Sequence, residues 1–282
     1  MEPPDPLEAL RRHLGGRFRR LISGSSELPA WRVGVGDPGL FGPDSATWRV
    51  HSSPAMLVGG LRALLLQTLH PLAMAAVAQH SNYRDDPWGR LHRTAAFVSL
   101  TTFGPTAEAL AAIEVVRRVH ERVSGVTDDG RPYTATDPHL LKWVHLTEVD
   151  SFLRAYMRFG HRWVPKARQD AYVHEMCAVA ERLGVIDAPR SRAELREQYD
   201  SYRPELEATA LARDAVRFLL NPPGNLAFKG SYAVIASAAV ALLPSEVRTS
   251  LGLVLLPGSD RLVIRPAAQL LLDGLGWVMQ PD

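Results

Sequence analysis

The sequence predicts an all-α protein, a single multi-helix domain, and three observations carry that prediction. Apolar residues recur at three- and four-residue spacing through most of the chain. Ser-Pro or Asp-Pro pairs stand where these stretches begin, and glycines stand where they end. The one extended-looking run, Leu251 to Leu256, is too short and isolated to imply a sheet.

The elements follow in order. Residues 5 to 22 mix charged and apolar residues as an amphipathic opening helix, and 23 to 44 are a Gly-, Pro- and Ser-rich connection. Ser53-Pro54 starts a long apolar helix running towards Gln79, which Pro71 should bend. Asp86-Pro87 opens a helix that Gly104-Pro105 closes after Phe103, and another runs from Thr106 to Ser124. Asp137-Pro138 opens a helix to Phe159. Further helices are expected near 166–183, 192–201 (a capping box of Ser191 and Glu194), 205–220, 229–242, 245–251 and 260–275. The expected organisation is an N-terminal helix and loop over 1–44 and one helical domain over 45–282 with a C-terminal helical cap.

Composition narrows the functional classes. The 282 residues carry 46% hydrophobic and 22% charged residues, ordinary globular values, with a formal net charge of +2. Without a basic block interleaved with aromatics, nucleic acid is not an expected partner. The single Cys177 excludes an internal disulfide, a cysteine-rich metal site and c-type haem attachment, and reads as a small core residue. No apolar stretch follows Arg11-Arg12 or Arg19-Arg20 as an export signal would require. Met56 to Ala78 is interrupted by Arg62, Gln67, His70 and Pro71, so it reads as a core helix and not as a transmembrane segment. A cytoplasmic protein is expected.

Three histidines fall on faces that periodicity turns inward. His120 continues the stripe Ile113, Val116, His120, Val123, where it is either a satisfied core residue or a ligand. His145 lies on Leu141, His145, Glu148, Phe152, with Glu148 one turn away to orient it. His70 precedes Pro71, where it could bond a carbonyl that the proline frees. Arg90, Arg93 and Thr94 share one helical face near a helix N-terminus, a combination suited to an anion. Alternatively, Arg90 is a surface partner of Asp86. Hydrolase, phosphate-loop, dinucleotide and di-iron signatures are absent, and residues alone stop at a helical protein with a His–Arg site.

Several segments in order and spacing resemble the mpaB-type oxygenase family, a bacterial domain family, and more distantly the latex-clearing protein (rubber oxygenase). They are Leu65-Leu66-Gln67 with His70-Pro71, Val77-Ala78-Gln79-His80-Ser81, Arg90-x-x-Arg93-Thr94 and Val116-Arg117-Arg118-Val119-His120 before Gly125. Tyr133-x-Ala135-x-Asp137-Pro138, Leu141-x-Trp143-Val144-His145 and Asp150-Ser151-Phe152 complete them. The resemblance implies a helical arrangement related to the globins around haem b, with dioxygen as co-substrate. It carries His120 over as the iron ligand and Arg90, Arg93 and Thr94 as the catalytic distal group. Arg90, Arg93, His70 and His145 are then expected around the cofactor. Arg93 stands where rubber oxygenase has a lysine, and a permanently charged guanidinium is a poor iron ligand, which implies five-coordinate or water-bound iron. No counterpart of that enzyme's glutamate base stands near Met74, so polyisoprene is not the expected substrate. The expectation is an oxygenase acting on a hydrophobic alkene or terpenoid-like molecule. A non-catalytic haem or gas-binding protein and a haem-free helical binding protein are the alternatives, and a homodimer is one option for assembly.

Overall fold

Residues 6–23, 36–161 and 164–279 are described by a computed structural model, in which the chain is all-α. Its helices are α1 (Pro6–Ser23), α2 (Ala46–His51), α3 (Met56–Gln67), α4 (Pro71–His80), α5 (Pro87–Phe103), α6 (Thr106–His120) and α7 (Pro138–Phe159). They continue with α8 (Lys166–Leu183), α9 (Arg192–Ser201), α10 (Ala210–Leu220), α11 (Leu226–Ala241), α12 (Ser245–Ser250) and α13 (Arg265–Met279). Two short strands, β1 (Ser124–Val126) and β2 (Pro132–Thr134), pair antiparallel after α6.

The core forms where α3 crosses α7. Leu65, Leu66, Trp143, Leu146 and Val149 are essentially inaccessible, and burying each such side chain contributes about 1.5–3 kcal/mol. The crossing is close because Gly59 has no side chain: a Cβ there would lie 2.8 Å from Phe152 Cδ1. Arg62 is 1% exposed in this apolar setting. Its Nε donates to Leu242 O at 3.0 Å and its Nη1 to Ser151 Oγ at 2.6 Å, with Asp150 Oδ2 at 2.9 Å from Nη1.

Polar caps fix where the site helices start. Asp86 Oδ1 accepts from Gly89 N at 2.8 Å, Asp137 Oδ1 accepts from His139 N at 2.9 Å, and a proline follows each aspartate. Of the predicted Ser191–Glu194 capping box the first half forms, Ser191 Oγ accepting from Glu194 N at 3.2 Å, while the Glu194 carboxylate accepts from Arg190 N, one residue before the cap, at 2.8 Å. Cys177 is a buried core residue whose thiol donates to Pro189 O at 3.1 Å.

The structure corrects three expectations. Pro71 does not bend one long helix but begins a new one: α3 and α4 meet at 105°, with His70 extended between them. Ser53-Pro54 forms a turn before α3, and α2 precedes it, its first two amides held by the Glu175 carboxylate at 3.1 and 2.7 Å. The segment after His120 forms the β1–β2 hairpin instead of continuing as helix. The opening helix is present as α1, whereas most of the connection expected over 23–44 lies outside the described residues.

Among the described residues one helical stretch, Asp260–Met279, a π-turn followed by α13, is long and apolar enough to cross a membrane by length and composition, and α3 with α4 passes the same test only if the two are taken together across their 105° bend. Ala268 and Leu272 sit in the main core, while Leu262 and Leu270 are 80% and 78% exposed.

Candidate functional site

The α5–α6 hairpin brings the candidate residues to one end of the fold. A two-residue turn, Gly104-Pro105, joins the helices, and Asp37 pins it by accepting from Thr106 N at 2.8 Å and Thr106 Oγ1 at 2.9 Å. Arg90 and His120 each lie about 15 residues from this turn, ~22 Å along their helices, so they stand level with each other.

The C-terminus of α4 bonds to Arg90 and to the β1–β2 hairpin that follows His120. Arg90 Nη1 donates to Ser81 Oγ at 2.7 Å. Next to it, His80 Nε2 lies 3.1 Å from Ser124 O, and Gln79 Nε2 donates to Val126 O at 3.0 Å. Tyr133 OH donates back to Gln79 Oε1 at 2.6 Å. Gly125 makes this approach possible, because a Cβ there would meet Tyr133 OH at 2.5 Å and Gln79 Oε1 at 2.8 Å.

His120 is half-buried at the last position of α6, and its Nδ1 is buried with no hydrogen-bond partner. Burial lowers its pKa, which favours the uncharged imidazole, the form in which a ring nitrogen can act as a ligand. Val123, three residues on, packs with Leu72 and Ala76 against the buried cluster of Ala75, Tyr133 and Leu140. Arg90 is half-buried, its pKa lowered by burial, whereas Arg93 is exposed and pairs with Asp86 at 3.3 Å. Asp86 is therefore the partner of Arg93, not of Arg90. Thr94 is exposed, and its hydroxyl donates to Arg90 O at 3.0 Å on its own helix.

A sequence model described as "ER-bound oxygenase mpaB/B'/Rubber oxygenase, catalytic domain" matches residues 48–277, most of the chain. The chain belongs to this family. No curated protein and no solved structure matches it.

In this member of the mpaB/rubber oxygenase family the other two histidines lie on other elements, His70 between α3 and α4 and His145 in α7. His70 lies with His139, Trp143 and Tyr202, at ring-centroid distances of 6.1, 6.4 and 6.3 Å. Neither of its ring nitrogens makes a hydrogen bond, so it does not cap a carbonyl freed by Pro71; Glu205 Oε2 lies 3.5 Å from Nε2 without hydrogen-bond alignment. His145 is buried in α7 with Nε2 unpartnered, so Glu148 does not orient it through that atom. Sequence reading missed His51, on the short α2. Its Nδ1 lies 2.7 Å from Thr102 Oγ1 and its Nε2 3.1 Å from Tyr172 OH.

Burial moves three of these groups enough to affect stability. His51 is pushed down to about 3 and His145 to about 4, while Glu148 is pushed up to about 7. The histidines bind protons more readily when unfolded, so their stabilisation is complete above about 6.5 and is lost as pH falls towards 4 and 3. Glu148 has the opposite sign. Its contribution is complete below about 4.5 and is lost as pH rises to about 7. Glu148→Gln is thus expected to stabilise the chain by about 1–2 kcal/mol at pH 8 and to match the parent at pH 4. Urea midpoints at the two pH values check this; equal midpoints at pH 8 would mean that Glu148 ionises freely in the fold.

Proposed function

We propose that this family member is a haem b-dependent oxygenase that uses dioxygen on a hydrophobic, alkene- or terpenoid-like small molecule. The observation that carries the reading is His120: its Nδ1 is buried without a hydrogen-bond partner, its pKa is lowered by burial, and it stands level with Arg90 on the facing helix. A structural core histidine would have its buried nitrogens satisfied. A nitrogen held neutral and unpaired is what ligation of iron requires.

The residues present fit a haem. Bound there, it would supply an iron at which dioxygen is activated. His120 would hold it from α6. Arg90 keeps guanidinium N–H groups beyond the one on Ser81, enough to neutralise a propionate. Arg93 and Thr94 follow Arg90 along α5, where the arginine donates hydrogen bonds and holds positive charge. The partly buried Leu72, Ala76 and Val123 would supply the apolar lining on the α4 side for a hydrophobic substrate. The exposed Arg93 pairs with Asp86 at 3.3 Å and, as a permanently charged guanidinium, would not serve as an iron ligand.

The test is the absorption spectrum of freshly purified protein together with metal analysis. A Soret band with stoichiometric iron, and dioxygen consumption that depends on an added isoprenoid alkene, are expected. No Soret band after growth with haem precursor would overturn the cofactor. A Soret band without substrate-dependent consumption would overturn turnover in favour of a haem or gas carrier.

A further inference from the structure

His70, His139 and Glu205 form a second cluster that this reading leaves unused. Glu205 places its two carboxylate oxygens 3.0 and 2.9 Å from His139 Nε2, and Oε2 lies 3.5 Å from His70 Nε2. The three donor atoms lie within 4.8 Å of one another. In a tetrahedral site with bonds of ~2.0 Å the donors stand ~3.3 Å apart.

The hydrogen bonds around His139 show which lone pairs converge. Tyr202 OH donates to His139 O at 2.9 Å, so its oxygen accepts from His139 Nδ1–H at 3.2 Å. That bond places the ring proton on Nδ1 and turns the Nε2 lone pair towards a carboxylate that is itself an acceptor. His70 is 2% exposed, and neither of its nitrogens has a hydrogen-bond partner. Acceptors facing acceptors repel unless a cation stands between them. A proton on His139 Nε2 would settle that contact but leave His70 unsatisfied. A metal ion settles both.

We infer that His70, His139 and Glu205 bind a divalent first-row transition ion, separate from the haem site. Two imidazoles and one carboxylate are a donor set for zinc or non-haem iron that leaves coordination positions open. The frame is held in place. Glu207 N donates to Leu69 O at 2.8 Å, which fastens the segment carrying Glu205 against the residue before His70. Tyr202 stacks on His139 at 4.4 Å and fixes its tautomer, the role that outer partners of metal-bound histidines play. A cavity of about 390 Å³, lined by His70, Arg131, Glu205 and Glu207 among others, gives room for further ligands. Arg131 on its wall would favour an anionic one, such as a carboxylate, bound to the ion.

The full, tag-free chain, stripped by chelator and dialysed, is titrated with Co²⁺ and followed by its visible absorption. Zn²⁺ is then added as competitor. One Co²⁺ per chain, displaced by Zn²⁺, is expected, and His139→Ala and Glu205→Gln should each weaken binding tenfold or more. Both side chains are about half exposed, so each variant tests the site with little risk to the fold, and either one alone decides if the other fails to melt cooperatively. His120→Ala should leave Co²⁺ binding unchanged, which separates this site from the haem. Absence of a Co²⁺ band, binding that survives both variants, or binding lost in His120→Ala would each overturn the inference.

Discussion

Replacing His120 with alanine is expected to abolish stable haem retention, lowering the Soret absorbance per chain at least tenfold while the far-ultraviolet circular dichroism stays that of the parent. The expectation follows from where the side chain sits. His120 is the last residue of α6 and is half-buried, and Nδ1, its buried ring nitrogen, makes no hydrogen bond within the protein. Its removal therefore breaks no internal network. The helix is already closed by backbone bonds, Glu121 N to Arg117 O at 3.0 Å and Val123 N to His120 O at 3.0 Å. Stability should change by less than about 1 kcal/mol, the range of a lightly packed position. A large loss of haem with a small loss of stability distinguishes a ligand from a packing residue. Added imidazole should restore part of the absorbance, since it can enter the space the ring leaves. A Soret band in His120→Ala with unchanged axial ligation would assign the iron to another side chain. The unpartnered nitrogens of His70 and His145 name the next two to test.

The fold was legible in the sequence wherever a local rule decides it. Asp86-Pro87 and Asp137-Pro138 start helices because the carboxylate caps free amides and proline needs none, and the structure begins α5 and α7 there. The 105° break at His70-Pro71 was underestimated, since the angle depends on what the two helices pack against and not on the proline alone. The β1–β2 hairpin escaped notice because Ser124–Val126 and Pro132–Thr134 are too short to show a period. Within the candidate site, Arg90, Arg93, Thr94 and His120 were visible as segments, and the hairpin between them sets their common level. His139 and Glu205 were not. Both lie at element ends with no apolar stripe around them, 66 residues apart, and they meet where Tyr202, three residues before Glu205, stacks on His139 and donates to its carbonyl.

Arg62→Ala is expected to be the most destabilising of these substitutions, costing about 3 kcal/mol. A buried charge that loses a partner costs about 3–5 kcal/mol, and the lower end applies because Asp150 keeps Arg154, whose Nε donates to both its oxygens at 2.8 Å. What is left without a partner is the Leu242 carbonyl that closes α11 and the Ser151 hydroxyl on α7. Burial lowers the Arg62 pKa and Asp150 opposes that shift; the guanidinium is charged in any case, and Asp150 supplies the counter-charge that offsets its burial. For a chain of this length the midpoint of thermal unfolding should fall by roughly 6–10 °C. Arg62→Met keeps the aliphatic volume and discards the charge, so it should recover about half of the loss, and pairing it with Asp150→Asn should recover little more, since Arg154 already compensates Asp150. Urea unfolding of the three variants measures this directly. A loss below about 1 kcal/mol for Arg62→Ala would mean that water replaces the guanidinium at no cost. The consequence reaches beyond stability, because α3 ends three residues before His70 and α7 begins at Pro138, next to His139. Loosening the α3–α7 crossing should therefore weaken Co²⁺ binding at the second site in Arg62→Ala more than in Arg62→Met, in step with the stability each has lost.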